Sequence, residues 1–364
     1  MSILIALSGG IDSSVVAHLL KEQGHEVVGV RMALWSDPLA PAKAQLLPNK
    51  CCDAQAAART AAVAKKLQIP IHIVEMSKEF KELVVDRFLK DCRNGLTPNP
   101  CVYCNRLIKF GKLMDIADGF GCEKVATGHY ARIVTETMPN GSVRHALLEA
   151  VDKEKDQSYY LHGLNQNQLG HVLFPLGEMV KGDVYALAQR FGIPFDRALY
   201  RESQDLCFFP EKSPTEFLRR HAPEAMRLGQ IIRRDGMVVG SHQGLPLYTV
   251  GQRRGLKIGG LKIPLEVVAK DVSGNRLIVD EKDKEKAADI PVRDITWVCG
   301  KPAENADTPF DCRTRSLSPK RKGTFRFTGS SGTFTLAEPA GPQSPGQYLV
   351  LYSGEEVVGG GVIA

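Results

Sequence analysis

Two cysteines, Cys101 and Cys104, lie three positions apart in the run GLTPNPCVYCNRLIKF, residues 95–110. A C-x-x-C pair can be half of a zinc site, a redox pair, part of an iron–sulfur ligand set, or a nucleophile with a neighbour. Asn99 is a favoured N-cap and Pro100 a favoured first helical residue, so a helix is expected to start here. The i, i+3 spacing puts both thiols on one face of its first turns. The positive end of the helix dipole, with Arg106 and Lys109 nearby, favours the thiolate and hence a reactive pair. Zinc is the weaker reading, because Cys51 and Cys52 are adjacent and no second C-x-x-C exists. A third thiol, Cys207, follows polar and acidic residues in RESQDLCFF and precedes two phenylalanines, as in a loop entering an apolar pocket. By itself it reads as a buried structural cysteine.

The second chemical feature is SGGIDSS, residues 8–14, between an apolar run and a helical pattern. Glycines there let backbone N–H groups approach a phosphate, and the helix N-terminus adds its positive dipole end. The loop is not a Walker A sequence, so it brings no lysine to the γ-phosphate. Asp12 is distinctive, since a carboxylate beside polyphosphate makes sense with a bridging Mg²⁺. The plainer alternative is a tight strand–helix turn capped by Ser13.

These residues need a scaffold. ILIAL (residues 3–7), HEVVGVRMALW (25–35), IPIHIVEM (69–76) and KVATGHYA (124–131) read as strands, with helical patterns at 13–24 and 54–68 between them. Such alternation predicts an α/β N-terminal domain with a parallel sheet covered on both faces. The pattern changes near residue 196. Residues 213–225 form a short helix and 229–244 two strands about an Arg-Asp-Gly turn, which reads as a small central α+β domain. From about Pro264 the chain reads as successive hairpins (265–281, 322–338 and 346–363), suited to a C-terminal β-barrel or sandwich. The expected domains are 1–196, 197–263 and 264–364. Residues 280–286, DEKDKEK, read as a solvated hairpin end.

Composition bounds the class. With 43% hydrophobic and 24% charged residues the chain is globular, and no apolar run approaches the roughly 18–20 residues of a membrane helix. Nine scattered cysteines are not the dense, even set of a secreted disulfide scaffold, so a reducing cytoplasm is expected. The N-terminus enters the glycine loop at once and reads as mature structure. A net charge of +6 permits a nucleic-acid partner without requiring one.

S-G-G-x-D-S after a first strand resembles the signature loop of ATP pyrophosphatases, which transfer AMP to a substrate oxygen and release pyrophosphate. That motif alone leaves amide-forming synthetases, tRNA lysidine synthetase and several RNA thiolases open. TPNPCVYCNRLIKF, ATGHYAR, KDQSYYL, ESQDLCFF, YTVGQRRGLKIGG and SPGQYLVLYSGEEVVGGGVI follow it in that order. The whole arrangement is similar to the tRNA-specific 2-thiouridylase family, over essentially the full chain. The resemblance implies an adenine nucleotide alpha hydrolase-like ATP-binding domain, a small central domain and a tRNA-contacting barrel. It implies ATP and Mg²⁺, the anticodon arm of tRNA with its wobble uridine, and a sulfur-relay or cysteine desulfurase protein that delivers a persulfide.

Carried over position by position, the resemblance assigns Ala6, Leu7, Ser8, Gly9, Gly10, Ile11, Asp12 and Ser13 to ATP, with Met32 and Gly128 as further ATP contacts. Cys104 matches the nucleophile and Cys207 the persulfide carrier, with Asp12 beside the departing pyrophosphate. Asn99, Pro100 and Cys101 match the segment that holds the target base. His129, Lys155, Asp156 and Gln157 match tRNA contacts, as do Arg315, Ser316 and Gln347 in the barrel. The basic stretch Arg313, Arg315, Lys320, Arg321, Lys322 and Arg326 suits RNA phosphates.

The chain departs from the family at three places. Many members carry aspartate where Cys101 stands, the commoner form of ESQDLCFF is DSTGICF, and Ser316 replaces the tyrosine of an Arg-Tyr pair. Cys101, Cys104 and Cys207 would together suit a [4Fe–4S] cluster with one open iron. The competing expectation is a persulfide on Cys207, resolved by Cys104, with Cys101 a spare thiol. Rival functions are another adenylating enzyme, such as an amide-forming synthetase or a different tRNA thiolase, and a non-catalytic RNA-binding protein.

Overall fold

The computed structural model describes residues 1–41, 54–195, 206–209, 211, 213–259, 264–281 and 286–364. Cys51, Cys52, residues 202–205 of the ESQDLCFF segment and 282–285 of the charge run lie outside them. So do positions 196, 197 and 263, at the expected domain changes.

Strand β1 (Ser2–Ala6) is an apolar run whose Ile3, Leu4 and Ile5 are wholly buried, as a central parallel strand requires. It pairs in parallel with β2 (Glu26–Ala33) on one side, and β2 continues to β3 (Ile71–Glu75). On its other side lies β4 (Lys124–Ala126). β4 is shorter than the strand expected over 124–131, because the chain leaves the sheet at Thr127 and turns over its carboxyl end. A hairpin follows, β5 (Arg132–Thr137) and β6 (Val143–Leu148), and then β7 (Val172–Leu173), which completes the sheet order β3-β2-β1-β4-β7. Helix α1 (Ile11–Glu22) rises from the β1 loop, its Val15, Val16 and Leu20 packed on the sheet.

The central part carries β8 (Gly229–Arg233) and β9 (Val238–His242) as one hairpin, and β10 (Leu265–Asp271) and β11 (Arg276–Glu281) as another. A parallel β11–β8 pairing joins them, a long-range contact that hairpin patterns do not encode.

The last part is β12 (Ala287–Trp297), β13 (Thr308–Arg313), β14 (Arg321–Thr328), β15 (Ser331–Ala340), β16 (Tyr348–Ser353) and β17 (Glu356–Ile363). Pairing of β12 with both β15 and β17 closes these six strands into a barrel, which removes their free edges. The β5–β6 hairpin of the first domain adds to it through Glu356↔Leu148. The α/β, central and barrel architecture is therefore the one expected. The 265–281 hairpin, expected in the barrel, belongs instead to the central sheet because β11 pairs with β8, and the β5–β6 hairpin is an unforeseen bridge.

The three parts meet on the loop that precedes the C-x-x-C helix. Thr97 N–H donates to the Pro345 carbonyl at 2.8 Å, and Gln347 Nε2 donates to the Thr97 carbonyl at 2.9 Å. From β10, Lys270 Nζ donates to Thr97 Oγ1 at 3.3 Å. Burial pulls the Lys270 amine down to about 8, with Cys92 acting weakly in the other direction. A folded pKa below the unfolded one means that the unfolded chain binds more protons between about pH 8 and 10.5, so this lysine costs stability below pH 8 and the cost fades as pH rises through that window. Lys270→Met is expected to raise stability at pH 7 by up to about 3 kcal/mol. The gain should shrink toward pH 10, as read from thermal midpoints across pH; a pH-independent difference would count against this account.

Candidate active site

The glycine loop leaves β1 at its carboxyl end, where ligands of parallel sheets bind. Gly9 adopts φ +76°, and a Cβ there would stand 2.4 Å from the Ala56 carbonyl oxygen, so only glycine fits. Ser8 and Ser13 hydroxyls lie 3.3 Å apart, and Gly10 N–H donates to Ser8 Oγ at 3.3 Å, which closes the loop on itself. From the end of β4, Gly128 approaches so closely that a Cβ would lie 2.9 Å from that of Asp12.

The C-x-x-C helix begins at Pro100 with Asn99 in the N-cap position, as expected, although the Asn99 side chain makes no capping bond. It is α-helical over Pro100–Cys104, π over Asn105–Lys112 and α again over Leu113–Gly119. Such π turns often accompany functional sites. Cys104 is buried and Cys101 half-buried. Burial pushes the Cys101 thiol up, and Lys109 only partly offsets it. This runs against the expectation of an activated thiolate at Cys101: withdrawal of the sulfur from water outweighs the Lys109 charge.

Cys207 is placed by its neighbours. Phe208 and Phe209 are buried against Phe88 at 5.4 and 5.5 Å between ring centroids, and Phe217 closes the cluster. These anchors hold the preceding sulfur at the wall of a cleft of about 470 Å³.

That cleft gathers both chemical features. Ala6, Leu7, Ser8, Gly10, Asp12 and Ser13 line it, with Met32 and Gly128. Pro100, Cys101, Cys104 and Cys207 line the same cavity, as do His129, Lys155 and Gln157. Gly9, Ile11, Asn99, Asp156, Arg315, Ser316 and Gln347 are not among its lining residues.

Several expected RNA contacts have other duties. Asp156 is 2% exposed, and its carboxylate accepts from the Ala150 and Ser158 N–H groups, from Ser158 Oγ at 2.9 Å and from Arg313 at 3.1 Å. Arg313 also pairs with Glu149 at 2.9 Å, so this member of the basic stretch is spent inside the protein. Lys320 reaches the same Glu149 at 3.1 Å, and Arg326 pairs with Asp307. Arg315 is exposed but donates to the Val250 carbonyl at 2.8 Å. Gln157 Oε1 accepts from Tyr130 N–H at 3.0 Å.

His129 is a buried imidazole whose Nδ1 lies 2.7 Å from Thr127 Oγ1 and whose Nε2 lies 3.5 Å from Lys109 Nζ. Burial, helped by the Lys109 charge, holds its pKa well below the usual 6.5, so the ring is neutral at pH 7. An ammonium can only donate, which assigns the Nε2 lone pair to Lys109 and the Nδ1 proton to Thr127.

The sequence reading missed Lys109 and Lys181 as cleft residues. Lys109 falls one turn after Cys104, where its nearness was readable. Lys181 had no local signal.

Among the described residues, no group of three or more His, Cys, Asp or Glu is arranged to hold a metal ion. The three thiols share one cleft, but as placed they do not fit an iron–sulfur cluster, and Cys101 is held toward its protonated form. Asp12 fits Mg²⁺ in a different way, since Mg²⁺ is commonly held by one carboxylate together with the substrate's own phosphates.

Fold and site together define a three-part protein with a nucleotide-type loop and paired thiols in a common cleft. Family models match throughout: a tRNA methyl transferase HUP domain over residues 1–211, a tRNA methyl transferase PRC-barrel domain over 215–281 and an aminomethyltransferase β-barrel domain over 287–363. The tRNA-specific 2-thiouridylase MnmA of Chloroflexus aurantiacus is 42% identical over 366 residues, covering 100% of this chain and 98% of that one. Its namesake in Symbiobacterium thermophilum is 39% identical, covering 99% and 91%. A solved structure, the U34-tRNA thiolase NcsA from Methanococcus maripaludis with its [4Fe-4S] cluster, aligns at TM-score 0.34 and 17% identity over 61% of this chain and 67% of its own, too distant to carry an argument. The chain belongs to the tRNA-specific 2-thiouridylase family.

Proposed function

We propose that this protein is an ATP-dependent tRNA-uridine 2-sulfurtransferase that converts the wobble uridine of tRNA to 2-thiouridine. The observation that carries this reading is the single cleft shared by the glycine loop with Asp12 and the thiols of Cys101, Cys104 and Cys207. A phosphate-binding loop and sulfur chemistry in one cavity suit a reaction that activates an oxygen and replaces it with sulfur.

In this reading the N-terminal part binds ATP, the central part runs through β11 to Glu281, and the barrel from β12 onward contacts the anticodon arm, with Gln347 acting through the Thr97 loop. Uridine leaves its stack to enter the cleft, since an atom within a stack is out of reach. Its C2 oxygen attacks the α-phosphorus, and the bond to the bridging oxygen breaks with both electrons leaving on pyrophosphate. Bound Mg²⁺ would be held by Asp12 and the phosphates and would supply charge neutralisation. The terminal sulfur of a Cys207 persulfide then attacks C2 and expels AMP. The Cys104 thiolate attacks the Cys207 sulfur, which frees the thiocarbonyl and leaves a Cys104–Cys207 disulfide for a thiol reductant to open. Cys101 has no step in this course. A sulfur-relay or desulfurase protein supplies the persulfide, and the cytoplasm is the compartment that suits both thiols and tRNA. No helix among the described residues is long and apolar enough to cross a membrane.

The test uses anaerobically purified full-length protein with ATP, Mg²⁺, unmodified tRNA and a persulfide donor. Equimolar AMP and 2-thiouridine are expected, by chromatography and mass spectrometry, from protein without stoichiometric iron. AMP that does not depend on tRNA, or the absence of 2-thiouridine, overturns the assignment. Thiolation found only in iron-loaded protein overturns the persulfide course.

A further inference from the structure

We infer that Lys181 is the polyphosphate-binding cation of this site, supplied from a distant helix because the glycine loop has no lysine of its own. The inference rests on the ATP-dependent reading above and adds a residue to it.

Lys181 opens the helix Lys181–Arg190, 169 positions along the chain from Asp12, yet its Nζ lies 2.6 Å from Asp12 Oδ1. Tyr130 OH donates to the same oxygen at 3.0 Å. The ammonium sits 5.3 Å from the Tyr130 ring centroid and 5.2 Å from that of Tyr185. The helix start is fixed in turn, because the Lys181 backbone N–H donates to Asp152 Oδ2 at 2.9 Å. The side chain is only 9% exposed, and the surface it keeps faces the cleft that Ser8, Asp12 and Ser13 line.

A structural ion pair is the plain alternative. It does not explain why the pair is built on the one carboxylate of the loop, at the wall of the cavity. With no nucleotide, Asp12 is a carboxylate that needs a counter-ion at partial burial, and Lys181 supplies it. Both contacts fall on Oδ1, which leaves Oδ2 for a metal. When Mg²⁺ and ATP arrive, the cation on Asp12 is replaced and the ammonium gains the β- and γ-phosphates as its anion. During AMP transfer no redox change occurs and Lys181 keeps its proton. It pairs with charge that grows on the departing pyrophosphate, the position where a fixed cation accelerates the step.

Isothermal titration of the full chain with ATP, pyrophosphate and AMP, each with Mg²⁺, separates the two accounts. Lys181→Gln is expected to weaken ATP and pyrophosphate by about tenfold or more and AMP by less than about twofold. Lys181→Arg should recover most of the loss. Lys181→Met, which keeps the aliphatic stem against Tyr130 and Tyr185, carries the test where the glutamine variant does not fold. Equal losses for AMP and ATP, or no loss for either, overturn the inference. The titrations contain no tRNA, so a wild-type protein that binds pyrophosphate through Lys181 but thiolates nothing overturns the proposed function and leaves this assignment standing.

Discussion

Cys104→Ser and Cys207→Ser are each expected to lower 2-thiouridine formation by at least about 10³-fold, while ATP binding changes little. Cys104 and Cys207 line the same cleft as Ser8, Asp12 and Ser13 but do not belong to the glycine loop that would bind phosphate, so ATP binding is expected to survive both substitutions. A serine hydroxyl carries no transferable sulfur and cannot resolve a persulfide, so the loss falls on the sulfur half of the reaction. AMP transfer to tRNA should persist in both variants: Cys207→Ser leaves an adenylated tRNA that hydrolyses without gaining sulfur, and Cys104→Ser leaves tRNA joined through C2 to Cys207 by a disulfide that nothing resolves. Cys101→Ser is expected to cost less than about tenfold, because burial keeps that thiol protonated and the course gives it no step. Single-turnover assays with labelled ATP and mass spectrometry of the tRNA check all three. A Cys101→Ser protein as inactive as the other two would show that the third thiol is needed, and the two-cysteine course would then fail.

Arg313→Ala is expected to destabilise the chain by about 3–5 kcal/mol, the largest effect on stability among the changes considered. Its guanidinium is 11% exposed and bridges Glu149 and Asp156, which are 4% and 1% exposed. Arg313 also lies over the Tyr352 ring at 5.2 Å. Its removal leaves Asp156 buried without its cation. Lys320 and Lys153 still reach Glu149, so the cost should sit near the lower end of that range. Asp156→Asn combined with Arg313→Met should restore a substantial part, since it removes both charges together. Denaturant or thermal unfolding measures this; a single variant within about 1 kcal/mol of the parent would contradict the burial argument. The same network mounts the Lys155–Gln157 segment at the cleft wall, so weaker tRNA binding should accompany the loss.

Much of the scaffold was readable because its signals are local. The apolar β1 run, the glycine loop and the helical pattern after it are contiguous, and each reports its own backbone geometry. Two hairpins of the barrel, β14–β15 and β16–β17, announced themselves by alternation and turn residues, whereas β12 and β13 did not. Pro100 after Asn99 marked a helix start that the structure retains. The parallel β11–β8 pairing and the β5–β6 attachment to β17 join segments far apart in the chain, and no local period reports such partners.

The site divides in the same way. Residue types and spacing were enough to single out Asp12 and the Cys101–Cys104 pair as groups able to do chemistry, because a loop or a helix start is written in neighbouring residues. Cys207, by contrast, gained its weight only from the family resemblance. Only the tertiary structure decided what state and neighbours those groups have. It withdrew the Cys101 sulfur from water, tied Arg313 and Asp156 together as a buried ion pair, and brought Lys181 to Asp12. The physical reason is common to all three. Desolvation and charge pairing depend on what distant segments place within a few ångströms, and folding alone sets those distances.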